Sequence, residues 1–148
     1  VARNLYVTAM APESGKSVIT LGLAELLVGR VERLGCFRPI VPAEPDPQLE
    51  LLRRRYGAEV ASALTEEQAA ALDDYAEQRK RVVEAYRALE ERCDFVLCEG
   101  TDFAGAAPAL DFGLNADLAN AVGAPVLVVV RGGSVDETVA AVHAARGG

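Results

Sequence analysis

The chain has 148 residues, 51% of them apolar, with no tryptophan and a formal net charge of −7. That length is one domain's worth, residues 1–148, and its core has to be built from Val, Leu and Ala without disulfide or metal staples. The negative charge argues against a nucleic-acid footprint and an anionic membrane surface, so any phosphate held here is held locally, against the overall field.

In chain order, Leu5–Thr8 is a short β-branched and aromatic run, and Lys16–Gly29 follows with Val18, Leu21, Ala24, Leu27 and Val28 on one face of a 3.6-residue period. Leu34–Phe37 is a second strand. Val41–Pro47 is a proline-rich surface connection, and Pro47–Tyr56 is a short helix with Asp46 as N-cap and proline at the first helical position. Thr65 and Gln68 form a capping box for a helical region reaching about Glu91, with room for a break. Asp94–Glu99 and Pro125–Val130 are apolar without alternation, as strands buried on both faces of a parallel sheet must be. Asn115–Val122 and Ser134–Ala145 are helices that each open on a residue able to cap. The alternation predicts an α/β fold, a doubly wound parallel sheet with right-handed crossovers. Sheets of this kind usually continue beyond a fourth strand and its helix, so a fragment of a longer polypeptide is expected.

Cys36, Cys93 and Cys98 show no metal-type spacing, and Cys36 and Cys98 sit in apolar runs as small hydrophobes. An odd cysteine count with no signal sequence predicts a reduced, cytoplasmic chain. No apolar run is long enough to span a membrane. The single histidine, His143, leaves no Ser-His-Asp or Cys-His constellation, and it is expected on the surface.

Three features point to one crevice. Gly15-Lys16-Ser17 stands between a strand and an amphipathic helix, where unsatisfied backbone N–H groups and the helix dipole favour an anion. Lys16, expected to be exposed, reaches toward β- and γ-phosphates, and the Ser17 hydroxyl suits Mg²⁺. Met10 stands where such a loop favours glycine, which keeps open a plain β–α loop with Lys16 in solvent. Glu99 ends a buried strand, before Gly100, Thr101 and Asp102, where an acid either holds Mg²⁺ or caps nearby N–H groups. Arg38 ends the second strand and faces either the same crevice or solvent ahead of a rigid Arg-Pro turn.

The motifs PESGKS with LGL, FRPI, EGTDF and LNADLANAVGAPVLVVVRGG resemble the N-terminal domain of long-form bacterial phosphate acetyltransferases. That domain is itself similar to dethiobiotin synthetase, an ATP-dependent ligase. The resemblance runs from about Asn4 to about Ala145. It implies a P-loop NTPase-type sheet in which the four strands lie in the order 2-3-1-4. The implied phosphate- or nucleotide-binding residues are Glu13, Ser14, Gly15, Lys16, Ser17 and Arg38, with Ser17 and Glu99 for Mg²⁺. ATP or another phosphate-bearing small molecule is the implied ligand.

The resemblance places conversion of acetyl-CoA and phosphate to acetyl phosphate and CoA in C-terminal domains of the same parent chain. It gives this domain a regulatory or structural role within a homo-oligomer and no catalytic residue of its own. The chain departs from the ligase pattern at Ala9, Ala11 and Pro12 in the loop. It also has Arg38 for the lysine that handles substrate and Pro42 for a serine. Arginine stays protonated and cannot do a lysine's proton chemistry. An ATP-dependent ligase and a structural module that binds nothing are the alternatives.

Overall fold

The two termini of each strand, and what stops each helix, account for the architecture. In the computed structural model, residues 3–9, 15–72, 74–101 and 108–130 are described, those from 108 to 112 by backbone alone. The elements are β1 (Arg3–Ala9), α1 (Lys16–Val28), β2 (Leu34–Val41), α2 (Pro47–Tyr56), β3 (Glu59–Thr65), α3 (Glu66–Ala71), α4 (Tyr75–Glu90), β4 (Phe95–Glu99), α5 (Pro108–Ala121) and β5 (Val126–Val129). The strands form one sheet in the order β3-β2-β4-β1-β5, with every pair parallel. The four expected strands therefore lie in the expected order, and β3 adds a fifth beside β2.

That fifth strand has little strand character in its sequence, since Glu59–Thr65 (EVASALT) is rich in alanine. Its neighbours make it extended. Gly57 ends α2 in the left-handed region at φ 68°, its N–H bonded to the Arg53 carbonyl, and Thr65 opens α3 with a complete capping box. The residues between two helix terminators have nowhere to go but alongside β2, paired from Gly35↔Glu59 to Val41↔Thr65. The helical region after Thr65 does break. Asp74 caps α4 through Ala76 N, and Gln78 Nε2 donates to the Ala69 and Leu72 carbonyls at the end of α3, the first of which also accepts from Leu72 N.

Alternate strand residues split between two cores, as a doubly wound sheet requires. Tyr6, Phe37, Val96 and Cys98 pack under α4 and α5 with Tyr86, Leu89 and Leu118, and the Phe37 and Tyr86 rings meet edge-on, centroids 5.7 Å apart. Val7, Cys36, Val41 and Leu97 pack under α1 and α2 with Ala24, Leu49 and Leu52.

Three expectations need correction. The inward face of α1 is Lys16, Thr20 and Ala24, whereas Val18 is 70% exposed. The helix start turns the lysine toward the strand ends, and this rotation carries Val18 outward. α5 begins at Pro108, seven residues before Asn115, so Asn115 is an interior helical residue and not a cap. β5 pairs only with β1 among the described residues, and Val126 and Leu127 are each 38% exposed, so this strand is not buried on both faces. The helix expected at Ser134–Ala145 and the surface position expected for His143 lie outside the described residues. Among the described residues no helix is long and apolar enough to cross a membrane.

Cys36 is buried between β3 and β4, and burial pushes its thiol from 9.0 up to about 12. Between those two values the unfolded chain releases a proton that the folded chain keeps. Stability is therefore complete below pH 9.0 and falls as pH rises toward about 12. Replacing the thiol in Cys36→Ala is expected to flatten part of that alkaline decline in urea-denaturation series, with Cys98, Tyr6, Tyr75, Tyr86 and Cys93, also raised by burial, contributing to the remainder. An unchanged slope in the variant would place the decline elsewhere.

Candidate functional site

The carboxyl ends of β1, β2 and β4 converge beside the start of α1, the place where open α/β sheets take their ligands. Gly15 is the residue before α1 and has φ 88°, a left-handed value that L side chains avoid. An added Cβ there meets nothing within 4 Å, so conformation, not space, calls for glycine. The next two residues follow from this turn. Lys16 points inward with 6% exposure, and its Nζ donates to the Gly100 carbonyl at 2.8 Å. Ser17 Oγ lies 3.5 Å from Glu99 Oε2. Lys16 is thus buried across the crevice, contrary to the exposed side chain expected. The turn at Gly15 and the shared face with Thr20 and Ala24 leave it no path to solvent.

Glu99 is 2% exposed, and a carboxylate so buried needs partners. Gln48 Nε2 donates to its Oε1 at 3.0 Å and to the Ser17 carbonyl at 3.2 Å. Arg38 Nε lies 3.4 Å from Oε2, close enough for charge attraction but without the alignment of a hydrogen bond. The same guanidinium donates from Nη1 to Asp46 Oδ1 at 2.8 Å, while Asp46 Oδ2 accepts from Leu49 N and so caps α2. Arg38 therefore faces the crevice, which resolves the alternative left open at this position. Asp46, the N-cap of α2, is the partner of Arg38, and Gln48, in the first turn of α2, is the partner of Glu99. Asp46 is legible as an N-cap but not as a charge partner, and Gln48 has no sequence signal at all.

Behind the cluster lies a second network that fixes Gly100. Asn115 Oδ1 accepts from the Tyr6 hydroxyl at 2.7 Å and from Thr101 N at 3.0 Å, and its Nδ2 donates to Thr101 O at 2.8 Å. Thr101 Oγ1 donates to the Ile40 carbonyl and accepts from Ile40 N, and Gly100 N donates to Val7 O at 2.7 Å. Three strands and α5 are tied together at one point. A Cβ on Gly100 would lie 2.7 Å from Asn115 Oδ1, so this glycine is required by close approach. Burial drives the Tyr6 phenol well above its ordinary value, which keeps it a donor at any pH where the fold persists.

Mg²⁺ prefers oxygen donors in octahedral array, and Ser17, Asp46 and Glu99 supply oxygens. The Arg38 guanidinium, however, lies between both carboxylates and already balances one of their two charges. A dication there would sit beside a fixed positive charge, so the residues as arranged do not fit the ion. An open cleft of about 450 Å³ adjoins Asp46, but Glu44 and Glu50 also line it, an acidic setting unsuited to phosphate. Met10, Glu13, Ser14 and Asp102 lie outside the described residues.

A parallel sheet with a glycine-lysine-serine helix start and a strand-end glutamate at its carboxyl edge defines a P-loop α/β domain. A family model described as an AAA domain matches residues 3–148, and the chain belongs to that family, as a dethiobiotin-synthetase-like P-loop domain. It is 38% identical over 145 residues to a phosphate acetyltransferase of Nitratidesulfovibrio vulgaris, covering 89% of this chain and 20% of that protein. A phosphate acetyltransferase of Synechocystis sp. is 30% identical over 148 residues, 93% of this chain and 21% of that protein. The ATP-dependent dethiobiotin synthetase BioD of Saccharopolyspora erythraea is 34% identical over 139 residues, 87% of this chain and 61% of that enzyme. The chain spans about a fifth of the length of the two acetyltransferases.

The Asn115 network yields a direct test of the frame. Asn115→Leu keeps the branched side-chain skeleton, with bulkier methyl groups, and strands the Tyr6 hydroxyl and both backbone groups of Thr101. Such a loss is expected to cost about 3 kcal/mol or more. Urea denaturation with an unchanged m-value would report it. A cost below about 1 kcal/mol would mean that those groups find other partners.

Proposed function

We propose that this chain is an N-terminal P-loop domain of a phosphate acetyltransferase, one that holds a phosphate-bearing ligand and serves a regulatory or structural role without catalysis of its own. The observation that carries this reading is the convergence of Lys16, Ser17 and Arg38 at the strand ends, in a chain that resembles a fifth of each acetyltransferase. The parent enzyme would interconvert acetyl-CoA and phosphate with acetyl phosphate and CoA, through domains C-terminal to this one. It would act in the cytoplasm as a homo-oligomer. The N–H groups at the start of α1 and the Lys16 ammonium suit a single phosphate group. Wrapping a triphosphate also needs close backbone approach near Met10, so inorganic phosphate is expected to bind more readily than ATP.

A dethiobiotin-synthetase-like ligase is the second reading, favoured by the likeness to BioD. Arg38 weighs against it. Held by Asp46 and Glu99 and protonated at all working pH, it cannot exchange protons with a substrate amine or carbamate.

Phosphate binding is tested by mass action. Inorganic phosphate at a hundred times its dissociation constant is expected to stabilise the chain by about 2.7 kcal/mol. Lys16→Met should abolish that increment, measured against the variant's own ligand-free baseline. The baseline should itself drop by about 1–3 kcal/mol, because a charge-assisted bond to the Gly100 carbonyl is lost. A full phosphate increment in Lys16→Met would remove the crevice as the binding site. Acetyl phosphate formation from acetyl-CoA by the purified chain would overturn the non-catalytic role.

A further inference from the structure

We propose that Arg38 stands where a divalent cation would otherwise stand, so that a phosphate-bearing ligand binds this crevice without Mg²⁺. The inference rests on the phosphate-binding reading above and extends it to the ionic form of the ligand. A cation in a P-loop site does two things: it balances negative charge at the site, and it links the strand-end carboxylate that holds it to anionic phosphate oxygens. In this chain the first task is done by a side chain. Arg38 Nη1 is 2.8 Å from Asp46 Oδ1 and its Nε is 3.4 Å from Glu99 Oε2, with the side chain only 12% exposed. Two carboxylates, Arg38 and Lys16 cancel in charge, and the cluster is neutral with no ion added.

The second task is also within reach of the same group. Nε–H lies buried against Glu99 without making a hydrogen bond, and the 12% of the side chain that stays exposed leaves the guanidinium within reach of the crevice. A guanidinium is a planar fork whose donors match phosphate oxygens as well as carboxylate oxygens, and it keeps its charge at every working pH. One side chain is thus placed to join Glu99 to a phosphate as a metal would, with one positive charge in place of two. Gln48 supports the arrangement. It holds Glu99 Oε1 and the Ser17 carbonyl together, so the carboxylate faces Arg38 through its other oxygen.

Inorganic pyrophosphate is the probe, titrated calorimetrically into the wild-type chain in EDTA and again in excess Mg²⁺. Affinities equal to within about threefold are expected. Binding tighter by about tenfold or more with Mg²⁺ would overturn the inference while leaving the phosphate site in place. No binding under either condition would overturn the phosphate-binding reading itself. Arg38→Gln supplies the converse, because it keeps donors at the site but removes the charge. Its affinity in EDTA should fall by about tenfold or more, and Mg²⁺ should restore it. A variant that binds as tightly as wild type in EDTA would show that Arg38 is not the cation. The wild-type comparison decides the matter even where that variant proves too unstable to titrate.

Discussion

A carboxylate buried at the end of a central strand is the constraint from which the rest of the site follows. Glu99 is 2% exposed, and a lone charge at such a depth costs several kcal/mol. The fold answers by bringing three other elements to it. Parallel pairing of β2 with β4, Phe37 opposite Cys98, sets Arg38 level with Glu99. The N-cap of α2 then serves twice, since Asp46 both opens the helix and shares the guanidinium. Gln48, the second residue of that helix, closes the remaining oxygen. Removing any one of these leaves another charged or polar group without its partner, which makes the cluster a single unit in energetic terms.

The unit needs a rigid floor, and the Tyr6–Asn115–Thr101–Ile40 bonds provide it. They tie the strand ends together across the sheet: Tyr6 lies under α5, while Ile40 belongs to the strand that carries Arg38. The Gly100 carbonyl is thereby fixed beneath Lys16. A lysine that is held at its tip is already ordered, so little rotamer entropy is lost when an anion arrives. The ligand has instead to compete with, or share, the carbonyl bond.

How much of this was legible in the sequence varied with the range of the interaction. Helix starts at Asp46 and Thr65 depend on the next three residues, and both caps are as the local sequence implies. The central strands announce themselves by apolar composition, and their order follows from the family likeness. β3 was missed because EVASALT is extended only through its neighbours: a left-handed Gly57 before it and a cap after it. Asn115 was misread for a related reason. Asparagine in a helical stretch suggests an end, and only the distant Tyr6 and Thr101 explain it as an interior residue. The face of α1 was misjudged by hydrophobicity, because what turns that helix is the lysine's carbonyl partner on another strand. For Asn115 and for α1 the deciding contact lies far away in sequence.

Arginine in place of lysine at position 38 connects these observations to function. A lysine near a buried carboxylate can shift its proton affinity and trade a proton with a substrate. A guanidinium cannot, but it offers more donors in a fixed plane and is less costly to bury beside acids. The exchange gives up proton transfer and keeps, or strengthens, recognition of anionic oxygens. Under the phosphate-binding reading proposed above, that chemistry suits a domain that would hold a phosphate group without transferring protons itself. The same residue also ties the strand end to α2, so occupancy of the crevice by an anion would draw on the bond that caps this helix. Anion binding, if it occurs here, and the seating of α2 would then draw on one charge pair.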